Sequence, residues 1–140
     1  MMVNSHGTLE NVQGALSNLM PNSVIFKPKS TADELKDRLE RGDRSFTIVD
    51  IRAAKSFNLE HINGAISVPL SRLEDLARSA LSQHREIYIY GESDDQSLHG
   101  SRILRGVGFR NVAQIIGGLT TWRAIAGAIE GSRFRIELNL

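Results

Sequence analysis

With 140 residues, 41% of them hydrophobic and 24% charged, the chain has the makeup of one globular domain with a core of ordinary size. Its 17 basic and 16 acidic residues leave a net charge of +1, which gives no electrostatic case for nucleic acid or an anionic membrane as a partner. It contains no cysteine, so disulfides, thiolate metal sites, iron–sulfur clusters and cysteine nucleophiles are all excluded.

The segment from Gly7 to Met20 places Leu9, Val12, Leu16, Leu19 and Met20 at helical spacing, with Thr8 as its cap and Pro21-Asn22 as its end. Val24-Ile25-Phe26 reads as a short strand. A well-marked helix follows: Thr31 and Glu34 fit the capping box, Leu35 and Leu39 share a face, and Gly42 supplies a left-handed stop. SFTIVDIR, from Ser45, is β-rich and apolar, as a strand buried on both faces should be. GAISVPL holds another strand. Ser71 and Glu74 repeat the capping-box spacing ahead of a second helix. EIYIY, Glu86 to Tyr90, is a third buried-type strand, followed by a helix from Leu98. Asn111 to Ile116 is a further strand and Leu119 to Gly127 a last helix. Strands alternating with helices predict an α/β domain with a mainly parallel sheet and right-handed crossovers. Ligands in such sheets bind beyond the carboxyl ends of the strands, which is where Gly91 follows Tyr90.

Four ordered phrases carry a family resemblance. IVDIR (Ile48 to Arg52), EHINGAISVPL (Glu60 to Leu70), IYIYGESDDQS (Ile87 to Ser97) and GFRNVAQIIGGLTTW (Gly108 to Trp122) together resemble the rhodanese-homology family. The resemblance implies a rhodanese-like α/β fold, a five-stranded parallel sheet with helices on both faces. It spans roughly residues 24–130. Residues 1–23 then form an N-terminal amphipathic helical extension, and 131–140 a C-terminal extension that reads as a strand.

In active members of the family the loop after the central strand begins with a cysteine that carries a persulfide, in a pattern Cys-x-x-Gly-x-Arg-Ser. Laid on that pattern, Gly91 stands at the cysteine, Asp94 at the glycine and Gln96 at the arginine. The resemblance therefore makes Gly91, Glu92, Ser93, Asp94, Asp95, Gln96 and Ser97 a vestigial active-site loop with three acidic groups and no basic one. Asp94, Asp95 or Ser97 is expected to cap the following helix, with the loop's own carboxylates taking up its amides. Asp50 and Arg52 read as a structural pair near the loop, His61 as a packed core histidine, and Trp122 as core. Gly117-Gly118 matches the family's turn before the last helix.

No catalytic residue is expected, and no cofactor. The histidines, His6, His61, His84 and His99, lack metal-ligand spacing. A serine mechanism at Ser93 or Ser97 would need an adjacent base, and His99 is near in sequence only. The expected function is a catalytically inactive rhodanese-like module that binds or regulates a protein. The alternative is an enzyme of the same superfamily using non-cysteine chemistry at this loop. The expected partner is an unidentified protein or a second copy, contacted through the N- and C-terminal extensions. The last eight residues, Arg133 to Leu140, alternate strictly, with Phe134, Ile136, Leu138 and Leu140 on one side. No window approaches the length of apolar chain a membrane span needs, the N-terminus lacks a secretory signal pattern, and a cytoplasmic location is the default expectation.

Overall fold

The five strands that run through the core are all parallel, and two of them rest on features that local sequence hides. The computed structural model describes residues 26–133. The expected helix Leu9–Met20 and the tail after Arg133 lie outside the described residues. Strand β1 is Lys29–Ser30, β2 Phe46–Asp50, β4 Ile66–Ser67, β5 Glu86–Tyr90 and β6 Val112–Ile115, in the order β1-β6-β5-β2-β4. A separate antiparallel pair joins β3, His61–Ile62, to β7, Ile129–Glu130. The helices are α1 Ala32–Glu40, α2 Ala54–Leu59, α3 Leu73–Ala80, α4 Asp94–Gly106 and α5 Gly118–Ala124.

Alternation along the strands divides the core in two. Phe46, Ile48, Tyr88, Tyr90, Ala113 and Ile115 meet α1 and α5 on one face. Val49, Ile87, Ile89 and Val112 meet α3 and α4 on the other. A strand buried on both faces can be apolar at every position, which is why β2 and β5 read as unbroken apolar runs. Helices thus cover both faces, as expected.

The capping box of α1 forms as its spacing predicts. Glu34 N donates to Thr31 Oγ1 at 3.1 Å, and Thr31 N donates to Glu34 Oε1 at 3.1 Å. Gly42 takes the left-handed conformation at φ 83°.

Two expectations need correction and a third is reached only in part. Of the expected strand Val24-Ile25-Phe26 the first two residues lie outside the described residues, and Phe26 is in no strand; the first strand among the described residues is Lys29–Ser30. Backbone pairing with β6 sets this edge strand (Gln114 N donates to Pro28 O at 2.9 Å), while the Phe26 ring packs edge-on against Tyr88 with centroids 5.1 Å apart. Ser71 does not cap α3. It sits inside a 3-10 turn, Leu70–Arg72, that begins right after Pro69, so the α-helix starts at Leu73 with no side-chain cap. The helix after the loop starts at Asp94, four residues before Leu98, and its cap is Ser93.

β2 leads out to β4 on one side of the sheet, while β5 leads through α4 to β6 on the other. The two central strands therefore send their chains apart, and a crevice opens between their carboxyl ends, at Ile51–Arg52 and Gly91.

Candidate functional site

Gly91 leaves the end of β5 buried, and the next two residues complete a tight turn into α4. Ser93, in an extended conformation, accepts a hydrogen bond at its Oγ from Gln96 N at 3.1 Å. That satisfies one of the amides that a helix start leaves open. The Gln96 side chain then folds back over the loop, and its Oε1 accepts from Glu92 N at 2.7 Å. A carboxamide and a hydroxyl hold these two amides. The expectation that the loop's carboxylates would hold them is corrected: Asp94 and Asp95 stand in the first turn, where negative charge suits the helix dipole, but they do not cap it.

The Gln96 carboxamide also fills the space above Gly91. A Cβ built at position 91 would collide with Gln96 Oε1 and meet Ile51 Cγ1 at 3.2 Å. Gln96 Oε1 is the far end of a flexible side chain, so any side chain at position 91 would have to swing the carboxamide aside.

Asp94 does something the sequence did not suggest. Its Oδ1 accepts from Gly117 N at 2.9 Å, tying the start of α4 to the turn that precedes α5. Gly117 and Gly118 both have positive φ, 82° and 52°, and a Cβ at Gly118 would press on Gly91 O at 3.3 Å. Two glycines let this second turn come against the first. Behind them, Gln114 of β6 donates from Nε2 to Asp94 O at 3.0 Å and to Ser97 Oγ at 2.8 Å. Ser97, 1% exposed, donates in turn to Asp94 O at 3.1 Å. Ser97 therefore locks the helix from within and does not cap it.

Neither loop hydroxyl has a base. Ser93 and Ser97 are engaged with backbone and amide groups, and His99 is exposed on α4. Among the described residues no cluster of three histidine or acidic side chains could hold a metal ion.

Asp50 and Arg52 brace the crevice. Asp50 is fully buried at the end of β2, and Arg52 is 7% exposed. Arg52 donates to Asp50 from its backbone N at 2.9 Å and from Nη2 at 2.8 Å, and the same Nη2 reaches Glu60 O at 2.6 Å. Burial works against the Arg52 charge, but the Asp50 carboxylate more than offsets it and holds the guanidinium above its ordinary value. Tyr90 lies under the pair, and its hydroxyl accepts from Ile62 N at 3.0 Å. Burial, with the Asp50 charge beside it, pushes the Tyr90 phenol well above its ordinary value.

His61 is 8% exposed and stacks on Phe57 with centroids 3.6 Å apart, so it is the packed histidine expected. Outside the loop, a depression of about 330 Å³ is lined by Gly91 to Asp94, Arg52, Glu60, Thr120 and Arg123 among others. Sequence reading missed Glu60, Gln114 and Arg123. Glu60 pairs with both Arg123 and Arg133 across the chain, a contact with no local signature. The doubled glycine at 117 and 118 was the one available signal that a second turn closes on the loop.

Known proteins resemble this arrangement. The family model described as the rhodanese-like domain matches residues 31–125. A protein named as a sulfur carrier, YrkF of Bacillus subtilis, is 28% identical over 95 residues, covering 68% of this chain and 50% of its own. The thiosulfate sulfurtransferase GlpE of Coxiella burnetii is 28% identical over 81 residues, 58% of this chain and 75% of its own. The solution structure of the rhodanese-like domain from the Anabaena Alr3790 protein is 42% identical, covers 77% of this chain and 82% of its own, and superposes with a TM-score of 0.75. The chain spans half or less of the length of the first curated relatives it matches.

Proposed function

The chain belongs to the rhodanese-like domain family, and from that premise we propose that it is a non-catalytic member, a module that binds or regulates a protein partner. One observation carries the reading. The position where the family resemblance places the nucleophile is Gly91, and the Gln96 carboxamide occupies the space a side chain there would need. The sequence supplies no cysteine elsewhere to take its place. The loop's charge points the same way. Glu92, Asp94 and Asp95 surround amides that would otherwise attract an anionic sulfur donor. Chemistry through a loop serine is disfavoured, because both hydroxyls are spent on helix-start bonds and have no base beside them.

The partner is a protein or a second copy of this chain, met through residues 1–23 and 131–140. Two features support that choice over nucleic acid or membrane. Net charge is near neutral, and among the described residues no helix is long and apolar enough to cross a membrane. A cytoplasmic setting goes with this reading.

The test is thiocyanate formation from thiosulfate and cyanide, with intact mass measured after incubation with thiosulfate. The expected result is no rate above the no-protein control and no added sulfur mass. Turnover or a stable sulfur adduct would overturn the proposal.

A further inference from the structure

Asn63 is the one asparagine of the chain that a glycine follows. The pair lies in the turn between β3 and β4, and both residues are exposed. Ala65 N donates to Ile62 O at 2.9 Å, which closes a four-residue turn with Asn63 and Gly64 at its centre. Gly64 has φ 87° and Asn63 is not among the residues with positive φ, so the turn is of type II. A Cβ built at Gly64 would meet nothing within 4 Å, so the glycine serves the backbone and open space lies on that side of it.

That sequence in that setting carries a chemistry of its own. The carboxamide carbon of an asparagine, Cγ, is electrophilic, and the backbone nitrogen of the next residue is placed to close a five-membered ring on it. When the Gly64 nitrogen attacks, an N–Cγ bond forms, the nitrogen gives up its proton, and Nδ2 leaves with that proton as ammonia. Water then opens the cyclic imide. Cleavage of the new N–Cγ bond leaves aspartate. Cleavage of the bond from the nitrogen to the Asn63 main-chain carbonyl leaves isoaspartate, with the chain running through Cγ. A side chain on the attacking residue would hinder the approach, and glycine has none.

The fold works against the first step. A type II turn sets ψ of its second residue at about +120°, which turns the Gly64 nitrogen away from the Asn63 side chain. Two bonds to the chain around β7 keep it there. Asn63 N donates to Ala128 O at 2.9 Å, and Gly64 N, the attacking atom, donates to Glu130 Oε1 at 3.2 Å. The nitrogen must leave Glu130 before it reaches Cγ, so ring closure waits for this corner to open. The ladder beside it, His61 opposite Glu130 and Ile62 opposite Ile129, is two residues long, and a pairing that short opens locally without the core.

We propose that Asn63 is a site of spontaneous conversion to aspartate and isoaspartate, and that Glu130 sets its rate by holding the Gly64 nitrogen. Conversion places a carboxylate one residue from the amide that Glu130 binds, and like charge then works against the bond that had protected the turn. Isoaspartate also lengthens the main chain inside the turn, so the bond from Ala65 N to Ile62 O no longer fits. The turn between β3 and β4 thus undergoes an irreversible change whose onset depends on how often this corner opens.

The test ages the full chain in neutral buffer beside a synthetic peptide of residues 60–68. The fragment containing Asn63 is followed by mass and by chromatography that separates aspartate from isoaspartate. Conversion is expected at Asn63 and not at Asn58 or Asn111, which precede leucine and valine. It should run about tenfold slower than in the peptide, the population effect of one hydrogen bond to a charged group. Glu130→Ala should bring the rate up toward that of the peptide, and Glu130→Gln, which keeps a neutral acceptor, should fall between the two. Amide protection at Ile87 N, bonded to Asn111 O at 2.7 Å, checks that the core of each variant stays folded, and where alanine fails that check glutamine carries the comparison. Conversion in the unaltered protein as fast as in the peptide, no conversion there once the peptide has fully reacted, or a rate that neither Glu130 variant changes would each overturn the proposal.

Discussion

The Oε1 of Gln96 lies 2.7 Å from the amide nitrogen of Glu92 and stands where any side chain at position 91 would begin. The two positions are therefore coupled, and the coupling is measurable. Gly91→Ala must expel the Gln96 carboxamide and break its bond to Glu92 N, at a cost of about 1 kcal/mol. In a Gln96→Ala background that bond is already gone, so the same change should cost less than half as much. Urea denaturation of the four proteins of the cycle gives the interaction energy. Strict additivity would mean that Gln96 does not occupy this space in solution.

Restoring the nucleophile alone should not restore sulfur transfer. In Gly91→Cys the thiol would lie beside Glu92, Asp94 and Asp95, whose like charges disfavour the thiolate, and no arginine stands at position 96 to hold an anionic donor. The expected outcome is a thiosulfate–cyanide rate at most slightly above the control, with a thiol that alkylates slowly at pH 7. A robust rate from the single change would mean that the loop still favours anions. The same electrostatics predict that sulfate or phosphate at high millimolar concentration produces no saturable shift of the amide resonances from Gly91 to Ser97.

The Asp50–Arg52 pair should matter for folding and not for chemistry. Asp50 has no exposure, and removing its cation leaves a buried carboxylate with only a backbone amide and the Tyr90 hydroxyl for company. Arg52→Leu should lower stability by about 3–5 kcal/mol, the usual cost of breaking a buried pair on one side. Asp50→Asn combined with Arg52→Leu should recover part of that loss, since a neutral amide replaces the stranded charge. Chemical denaturation decides it, and a double variant as unstable as the sum of the singles would argue against pairing as the source.

What could be read from the sequence was what repeats or alternates. The long strands β2 and β5 announce themselves because burial on both faces leaves unbroken apolar runs, and α1 because Thr31 and Glu34 serve its first turn locally. The same spacing at Ser71 and Glu74 failed because Pro69 starts a 3-10 turn first, which no three-residue pattern encodes. The helix α2 has no side-chain cap and no buried residue, so it carries no periodicity to detect, and two-residue strands such as β3 and β7 have no period at all. At the site, family motifs located Gly91 to Ser97, Asp50, Arg52 and His61. The closure of the loop was not legible, because it depends on the direction of one side chain, Gln96, and on contacts from Gln114 and Gly117 about twenty residues further along the chain.

The acid limb of stability should carry a signature of Glu130. Its carboxyl is held below the usual carboxylate value of 4.5, first by the hydrogen bond from Gly64 N and then by His61. A depressed folded-state value means that the contribution is fully present above the unfolded carboxyl titration and is lost as pH falls through the lower, folded one. The side chain is 50% exposed, so the effect on global stability is small, and the local readout is the better one. The Gly64 amide resonance should titrate on the acid side with a midpoint below 4.5, and in Glu130→Gln, which keeps an accepting oxygen but no proton to exchange, that titration should disappear. A midpoint at or above 4.5 would show that the Gly64 bond does not form in solution, and with it the carboxylate would lose its anchor on the turn after β3.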